Sequence, residues 1–237
     1  MNIVIPYKIP PKHQGTDELR YALRSIEKHV VNKEEILVVG EKPEWLTNVS
    51  FLPLQQCSDI KARNIINAFN IGAFMFDEFV VWHDDMFAIT DLYDDELRKI
   101  YYLEDLSKIK NFGPRKFQQD LRKGKEILES LGLSAYNYVS HIPHWVNSKA
   151  WMEIYRMADI QNNPLGGEEN FLYNYMGVGE ANGSCKNVRA ARYDERPFNP
   201  EEAKGKKFIN FDEKGKGSGI FEYVKSLFPE KSHFEKD

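Results

Sequence analysis

The apolar positions of residues 1–90 alternate between two periods. Residues 2–7 form a short apolar run containing a proline, as a first strand opening into a loop at 8–15. Leu19, Ala22, Leu23, Ile26 and Val30 then recur at helical spacing among Arg20, Arg24, Glu27 and Lys28, which predicts an amphipathic helix capped by Thr16 or Asp17. Residues 35–39, closed by Gly40, and 49–54 read as second and third strands around a turn at 42–46. Ile66, Phe69 and Ala73 share one face of a second helix over 59–76, with Ser58 or Asp59 as its cap. Residues 79–82, Phe-Val-Val-Trp, then read as a buried fourth strand. Strand, helix, strand, strand, helix, strand predicts a mostly parallel sheet flanked by helices.

Beyond residue 90 the periods weaken. Residues 91–110 mix acids, aromatics and aliphatics without a dominant period. Phe117, Leu121, Leu128 and Leu131 fit one face of a helix ended by Gly132; its Arg115, Lys116, Arg122, Lys123 and Lys125 read as a solvated face, with phosphate contact as the alternative. Residues 136–146 read as extended and contain His141 and His144 around Pro143. A helix over 148–157 turns Trp151, Ile154 and Tyr155 inward, and a turn at 164–167 leads into a short helix over 168–176. Residues 204–216 read as a polar, basic loop broken by the apolar 208–211, and a last helix over 220–228 stops before Pro229.

Composition narrows the class more than the function. The chain has 237 residues, 42% hydrophobic and 29% charged, an ordinary globular balance able to fill one substantial core, and nothing marks an internal boundary or repeat. The net charge of −4 argues against a surface built throughout for nucleic acid. No apolar run approaches the roughly 20 residues of a membrane helix, and the first residues are too short an apolar run for a signal peptide, so the expected location is the cytoplasm. Cys57 and Cys185 have no paired metal-ligand spacing and read as plain thiols. The aromatics crowded between Tyr136 and Tyr175 either stack on sugars or bases or pack the core.

Asp84 and Asp85 are the first candidates for chemistry. They follow the fourth strand directly, where open α/β sheets place ligands, and a second apolar patch, Met86 and Phe87, returns behind them. Such a pair suits a divalent ion that keeps room for substrate phosphates; a plain turn is the alternative. His141 or His144 would serve as a metal ligand or as a base toward an attacking hydroxyl, against a packed histidine beside Trp145. Glu168 and Glu169 open a helix, where its dipole alone suffices to explain acids; functionally, one would bind the acceptor or act as base. Arg20, Arg24, Arg189, Arg192 and Arg196 are candidate phosphate partners or surface residues. Phosphate-loop, dinucleotide-binding and nucleophile-elbow motifs are absent, which weakens kinase, dehydrogenase and hydrolase readings.

Taken together, several segments resemble the Stealth family, the bacterial capsular-polysaccharide phosphotransferases related to the catalytic core of the animal N-acetylglucosamine-1-phosphotransferase. The stretch from Asp17 to Lys28, Asp-Glu-Leu-Arg-Tyr-Ala-Leu-Arg-Ser-Ile-Glu-Lys, resembles that family's DELRYSLRSIEK segment, and Pro43-Glu44-Trp45-Leu46 its PxWL. Residues 79–87 are similar to FIYxNDDMF, with His83 where the family usually has asparagine. His141-Ile142-Pro143-His144 resembles HxPH, residues 207–212 resemble KFIxxND, and residues 227–235 resemble the closing LFPxPSxFE. The family's first segment, a YTWVDG-like strand end, is replaced here by Ile3-Val4-Ile5-Pro6-Tyr7-Lys8.

The resemblance implies an α/β fold that is GT-A-like and Rossmann-related, in one domain over 1–237, with 1–90 as the nucleotide- and metal-binding half and 91–237 as the acceptor side. It implies Mg²⁺ or Mn²⁺ and a nucleotide-diphosphate sugar as donor. An acceptor hydroxyl on a glycan or polyol attacks either the β-phosphate, moving sugar-1-phosphate, or the anomeric carbon, moving the sugar. On this reading Asp84 and Asp85 hold the metal with His144 as a further ligand. Asp85, His141, His144 and Glu168 take part in catalysis, and Arg20, Arg24, His83, Asn64 and Asp212 surround the donor. Two alternatives stand beside it: a modified DNA base or a protein as acceptor, motivated by the basic stretches 115–125 and 204–216, and an inactive sugar- or nucleotide-binding module.

Overall fold

The strands Ile-Val-Ile-Pro-Tyr and Ile-Leu-Val-Val-Gly offer no polar face, and such strands persist only when covered on both sides. The computed structural model, which describes residues 1–10, 18–54 and 61–236, places them at the centre of the main sheet. In it, β1 (Ile3–Tyr7) runs parallel to β2 (Ile36–Gly40), β2 parallel to β3 (Ser50–Pro53), and β1 parallel to β4 (Glu78–Val81) on its other side. The expected caps Thr16, Asp17, Ser58 and Asp59, and Cys57, lie outside the described residues.

Two helices cover opposite faces, as the strands' period of two requires. Ile3 and Ile5 point to the layer of α1 (Glu18–His29), where Leu19, Leu23 and Ile26 are buried with Trp82. Val4, Phe79 and Val81 point to the layer of α2 (Lys61–Met75), with Ile66 and Phe69. Helix α2 approaches β4 so closely that a Cβ at Gly72 would lie 2.5 Å from the Phe79 ring. Ser25 ties α1 to β5 (Met86–Ala88): its hydroxyl donates to the Ala22 carbonyl and accepts from Ala88 N–H.

After β5 the chain forms α3 (Asp94–Leu97), β6 (Glu104–Asp105), α4 (Lys116–Ser130) and β7 (Tyr136–Asn137). Then β8 (His144–Asn147) pairs antiparallel with β4, giving the order β3-β2-β1-β4-β8, and α5 (Ser148–Met157) and α6 (Glu168–Tyr175) complete the α2 layer through Trp151, Ile154, Phe171 and Leu172. The chain is thus mixed α/β, with a mostly parallel central sheet between helical layers. No described helix is long and apolar enough to cross a membrane.

Three expectations need correction, and a fourth, the solvated basic face of α4, holds. Residues 204–216 are not one loop: β10 (Phe208–Phe211) is the middle strand of a second sheet, β5-β10-β9, where β9 is Arg189–Arg192, and α7 (Glu213–Lys216) follows it. Phe87 and Phe211 stack there at 5.5 Å over α8 (Ile220–Leu227), and this third core supplies the burial that four apolar residues in a charged stretch could not signal. Residues 136–146 are not continuously extended, because His141 takes a positive φ of 45°. Phe117 does not face the core; it is 47% exposed. The basic face of α4 is compensated by its own acids, Lys116 with Asp120, Arg122 with Glu126 and Lys125 with Glu129, so it is a solvated helix face.

Arg20 and Arg24 are committed away from the donor side. Glu235, its carboxylate fully buried, accepts from Arg20 Nη1 at 2.9 Å, Arg24 Nε at 2.7 Å and Arg24 Nη2 at 2.9 Å. Arg24 also donates to the Phe228 carbonyl, and the Arg20 guanidinium lies 4.3 Å over the Trp45 ring. Backbone bonds from Thr47 N–H to Phe234 and from Lys236 N–H to Trp45 seat the tail beside residues 45–47. The first, second and last of the resembling segments therefore pack on one another.

Candidate active site

The carboxyl ends of β1, β2 and β4 open on one cavity of about 720 Å³, the crevice where α/β sheets carry their ligands. Its wall has two chemical characters. Pro6, Val39, Leu54, Ile65 and the exposed ring of Phe117 make an apolar side beside Asn64. Glu18, Asp84, Asp85, Glu168, Glu169, Asp212 and Glu213 supply acids, accompanied by His83, His141 and His144. Among the described residues of this lining Lys8 is the one lysine, and none is an arginine.

Asp84 and Asp85 form the turn after β4. Trp82 is fully buried beneath it and its Nε1–H donates to the Met86 carbonyl at 2.8 Å, while Met86 N–H closes the turn on the His83 carbonyl. The apolar residues on either side thus fix the acids at the cavity, half-buried. Glu18, the first residue of α1, lies beside this turn. Burial, then the charges of Asp85 and Glu213, push its carboxyl upward against Lys216, 2.7 Å away.

His144 is placed by sheet register, since β8 sets it opposite Val81, three residues before Asp84. It is 6% exposed, and burial, with His141 and Arg189 nearby, drives its pKa down to about 3, so the ring is neutral. Its Nε2 lies 3.4 Å from Glu169 Oε1, beyond a good hydrogen bond, and has no hydrogen-bond partner among the described residues. Because burial disfavours charge on both groups, this approach is not an ion pair.

His141 is held in its left-handed conformation from behind. Asn210 Nδ2 donates to its carbonyl, Arg189 Nη1 to the Ser140 carbonyl and to Tyr193 Oη, and Tyr193 Oη donates to Asn210 Oδ1 at 3.1 Å. Arg189 is thereby a positioning residue of this loop. Arg192 and Arg196 instead pair with Asp194, and Arg192 also with Glu202.

Glu168 and Glu169 enter the cavity because Gly167 permits it. Gly167 has φ of 99°, and a Cβ there would lie 2.9 Å from Val139 Cγ2. The two acids are 2% and 8% exposed. Burial, followed by the neighbouring Glu169, holds the Glu168 carboxyl well above the usual range, and burial pushes Glu169 up to about 7. The helix dipole alone does not account for acids placed this way, since it needs no burial. Helix α6 is anchored by Asn170, whose Oδ1 accepts from Tyr138 N–H, and by Asn174, which exchanges hydrogen bonds with both backbone groups of Tyr136. Asp212 caps α7, accepting from Gly215 N–H at 2.8 Å.

The structure therefore gathers His83, Asp84, Asp85, Asn64, His141, His144, Glu168 and Asp212 on one cavity and leaves Arg20 and Arg24 outside its lining. It adds Glu18, Glu213 and Phe117. The signal for Glu18 lay in the resembling helix segment itself; Phe117 carried none, because its spacing also fits a core face. Among the described residues no three acid, histidine or cysteine side chains converge as ligands of one metal ion, so Asp84, Asp85 and His144 do not form a triad. His144 Nε2 approaches Glu169 instead. Two acids at one turn, with the remaining positions left to phosphate oxygens and water, is a donor set that fits a hard divalent ion on a diphosphate. No family model and no curated protein matches this chain.

Proposed function

We propose that this protein is a metal-dependent transferase of GT-A-like architecture that takes a nucleotide-diphosphate sugar and passes the sugar, or sugar-1-phosphate, to an acceptor hydroxyl. The observation that carries the reading is the Asp84–Asp85 turn at the carboxyl end of β4, on the same cavity as the buried set His144, Glu168 and Glu169. The ordered resemblance of segments to the Stealth family supports it. Among its described residues the wall carries seven carboxylates and one lysine, a balance that repels a bare diphosphate and favours an anionic donor that brings a cation with it.

Asp84 and Asp85 would hold Mg²⁺ or Mn²⁺, which when bound neutralises diphosphate charge. The apolar side, with the Phe117 ring, takes the flat face of the donor's base or sugar. Glu169, raised toward neutrality, is the group best matched to removing the acceptor hydroxyl's proton as its carboxylate; His144, held neutral beside it, brings Nε2 to 3.4 Å from that carboxyl and leaves it uncharged. His141 and Asp212 border the same space. The internal pairing of Lys116, Arg122 and Lys125 weakens one of the two motives for a DNA acceptor.

The test is to incubate the protein with Mn²⁺ or Mg²⁺ and a panel of nucleotide sugars and acceptors and identify the released nucleotide. A monophosphate indicates sugar-phosphate transfer and a diphosphate glycosyl transfer. Binding without release of either contradicts the reading in favour of an inactive module.

A further inference from the structure

Glu168 has no task in the scheme above, yet it is the most buried acid of the cavity at 2% exposure. Its Oε2 accepts a 3.2 Å bond from Gly167 N–H, and its Oε1, also buried, has no hydrogen-bond partner among the described residues. Elsewhere this protein pairs buried and half-buried acids with cations: Glu235, away from the cavity, with Arg20 and Arg24, and Glu18 in the cavity lining with Lys216. For Glu168 no ion pair is found among the described residues, and the adjacent Glu169 meets only the neutral His144. Two neighbouring carboxyls in a desolvated wall cost free energy that a counter-charge would recover. A second, separate observation points the same way: His144 Nε2, 94% buried by its residue exposure of 6%, is likewise unpartnered at this cavity.

We infer that Glu168 binds a positively charged group of the acceptor, a protonated amine, which places amino sugars and amino alcohols in the acceptor class. The inference rests on the transferase reading for the word acceptor. A neutral hydroxyl would satisfy one lone pair but give the buried Glu168 no counter-charge as a carboxylate. An ammonium supplies that counter-charge as Glu168 gives up its proton, and donates to Glu168 Oε1 while a hydroxyl on the neighbouring carbon lies toward Glu169. A metal ion is the weaker occupant, since no third ligand converges there among the described residues.

The experiment compares D-glucosamine with D-glucose as probes of the full chain by ligand-observed saturation-transfer NMR, with UDP, GDP, CDP, ADP and Mn²⁺ titrated in parallel, in wild type and E168Q. The expected result is about tenfold tighter binding of glucosamine than glucose, the size of one charge-assisted hydrogen bond, with the preference lost in E168Q. A cooperative thermal unfolding transition with wild-type circular dichroism shows that E168Q is folded. Equal binding of the two sugars, a preference that survives in E168Q, or Glu168-dependent binding of Mn²⁺ alone that displaces glucosamine would each overturn the inference. A Glu168-dependent preference in a protein that binds none of UDP, GDP, CDP and ADP with Mn²⁺ would support the cation site and overturn the transferase reading.

Discussion

Arg24 and Glu235, 211 residues apart, meet in a two-point ion pair with Nε on Oε1 at 2.7 Å and Nη2 on Oε2 at 2.9 Å. Burial works against this carboxylate, but hydrogen bonds from Arg24, Ser232 N–H and Arg20 outweigh it and hold its pKa down to about 2. Removing one partner of such a pair strands the others, so Glu235→Ala should cost about 3 kcal/mol by denaturant unfolding. The pair contributes fully above the carboxyl's ordinary value of 4.5 and is lost as pH falls through about 2, so the gap between wild type and Glu235→Gln should close over that window. A variant within about 0.5 kcal/mol of wild type at neutral pH would contradict the assignment.

The same pair separates stability from donor binding. Arg24→Met with Glu235→Leu should lower stability while leaving the affinity for a nucleotide and Mn²⁺ within about twofold, because neither side chain lines the cavity. A large loss of nucleotide affinity in a folded double variant would restore the donor-side role for Arg24.

The buried groups of the cavity set opposing pH slopes. Glu169 holds its proton more tightly folded than unfolded, so it lowers stability as pH rises from 4.5 to about 7. His144 binds its proton more weakly folded, so its contribution is complete above 6.5 and is lost as pH falls toward about 3. Glu169→Gln should therefore gain stability relative to wild type between pH 4.5 and about 7, by on the order of 3 kcal/mol at most, while losing transfer activity. Parallel stability profiles for the two proteins across that range would argue that Glu169 is not held above its ordinary value.

Phe117 and Gly167 act on opposite quantities. Phe117→Ala removes a ring already 47% exposed, so stability should stay within about 0.5 kcal/mol while donor affinity falls about tenfold. Gly167→Ala forces a side chain into φ of 99° and against Val139, and should cost about 1–3 kcal/mol and displace Glu168 and Glu169. Unfolding curves and isothermal titration on the two variants check both statements.

The part of the fold legible in the sequence is the part whose contacts are local or periodic. Strands β1, β2 and β4 announce themselves because runs such as Ile3-Val4-Ile5 have no polar face, and α1 because Leu19, Leu23 and Ile26 recur on one stripe. The second sheet was hidden because β10 finds β5 some 120 residues earlier in the chain, and four apolar residues among lysines carry no trace of that partner. Asp84 and Asp85 were legible from their position after a buried strand. Arg20 and Arg24 misled because a guanidinium suits a carboxylate as well as a phosphate, and Glu235 lay at the far end of the chain. The backbone of His141 depends on Asn210, Arg189 and Tyr193, which only the folded second sheet brings near.

The most direct measurement of the central claim is Mn²⁺-dependent turnover of nucleotide sugars by wild type and Asp85→Asn, with thermal unfolding confirming that the variant is folded. Wild type should release nucleotide from at least one donor, and Asp85→Asn should lose about a hundredfold or more of that rate. Metal-dependent activity left intact in Asp85→Asn would contradict the placement of the metal and diphosphate at the turn after β4.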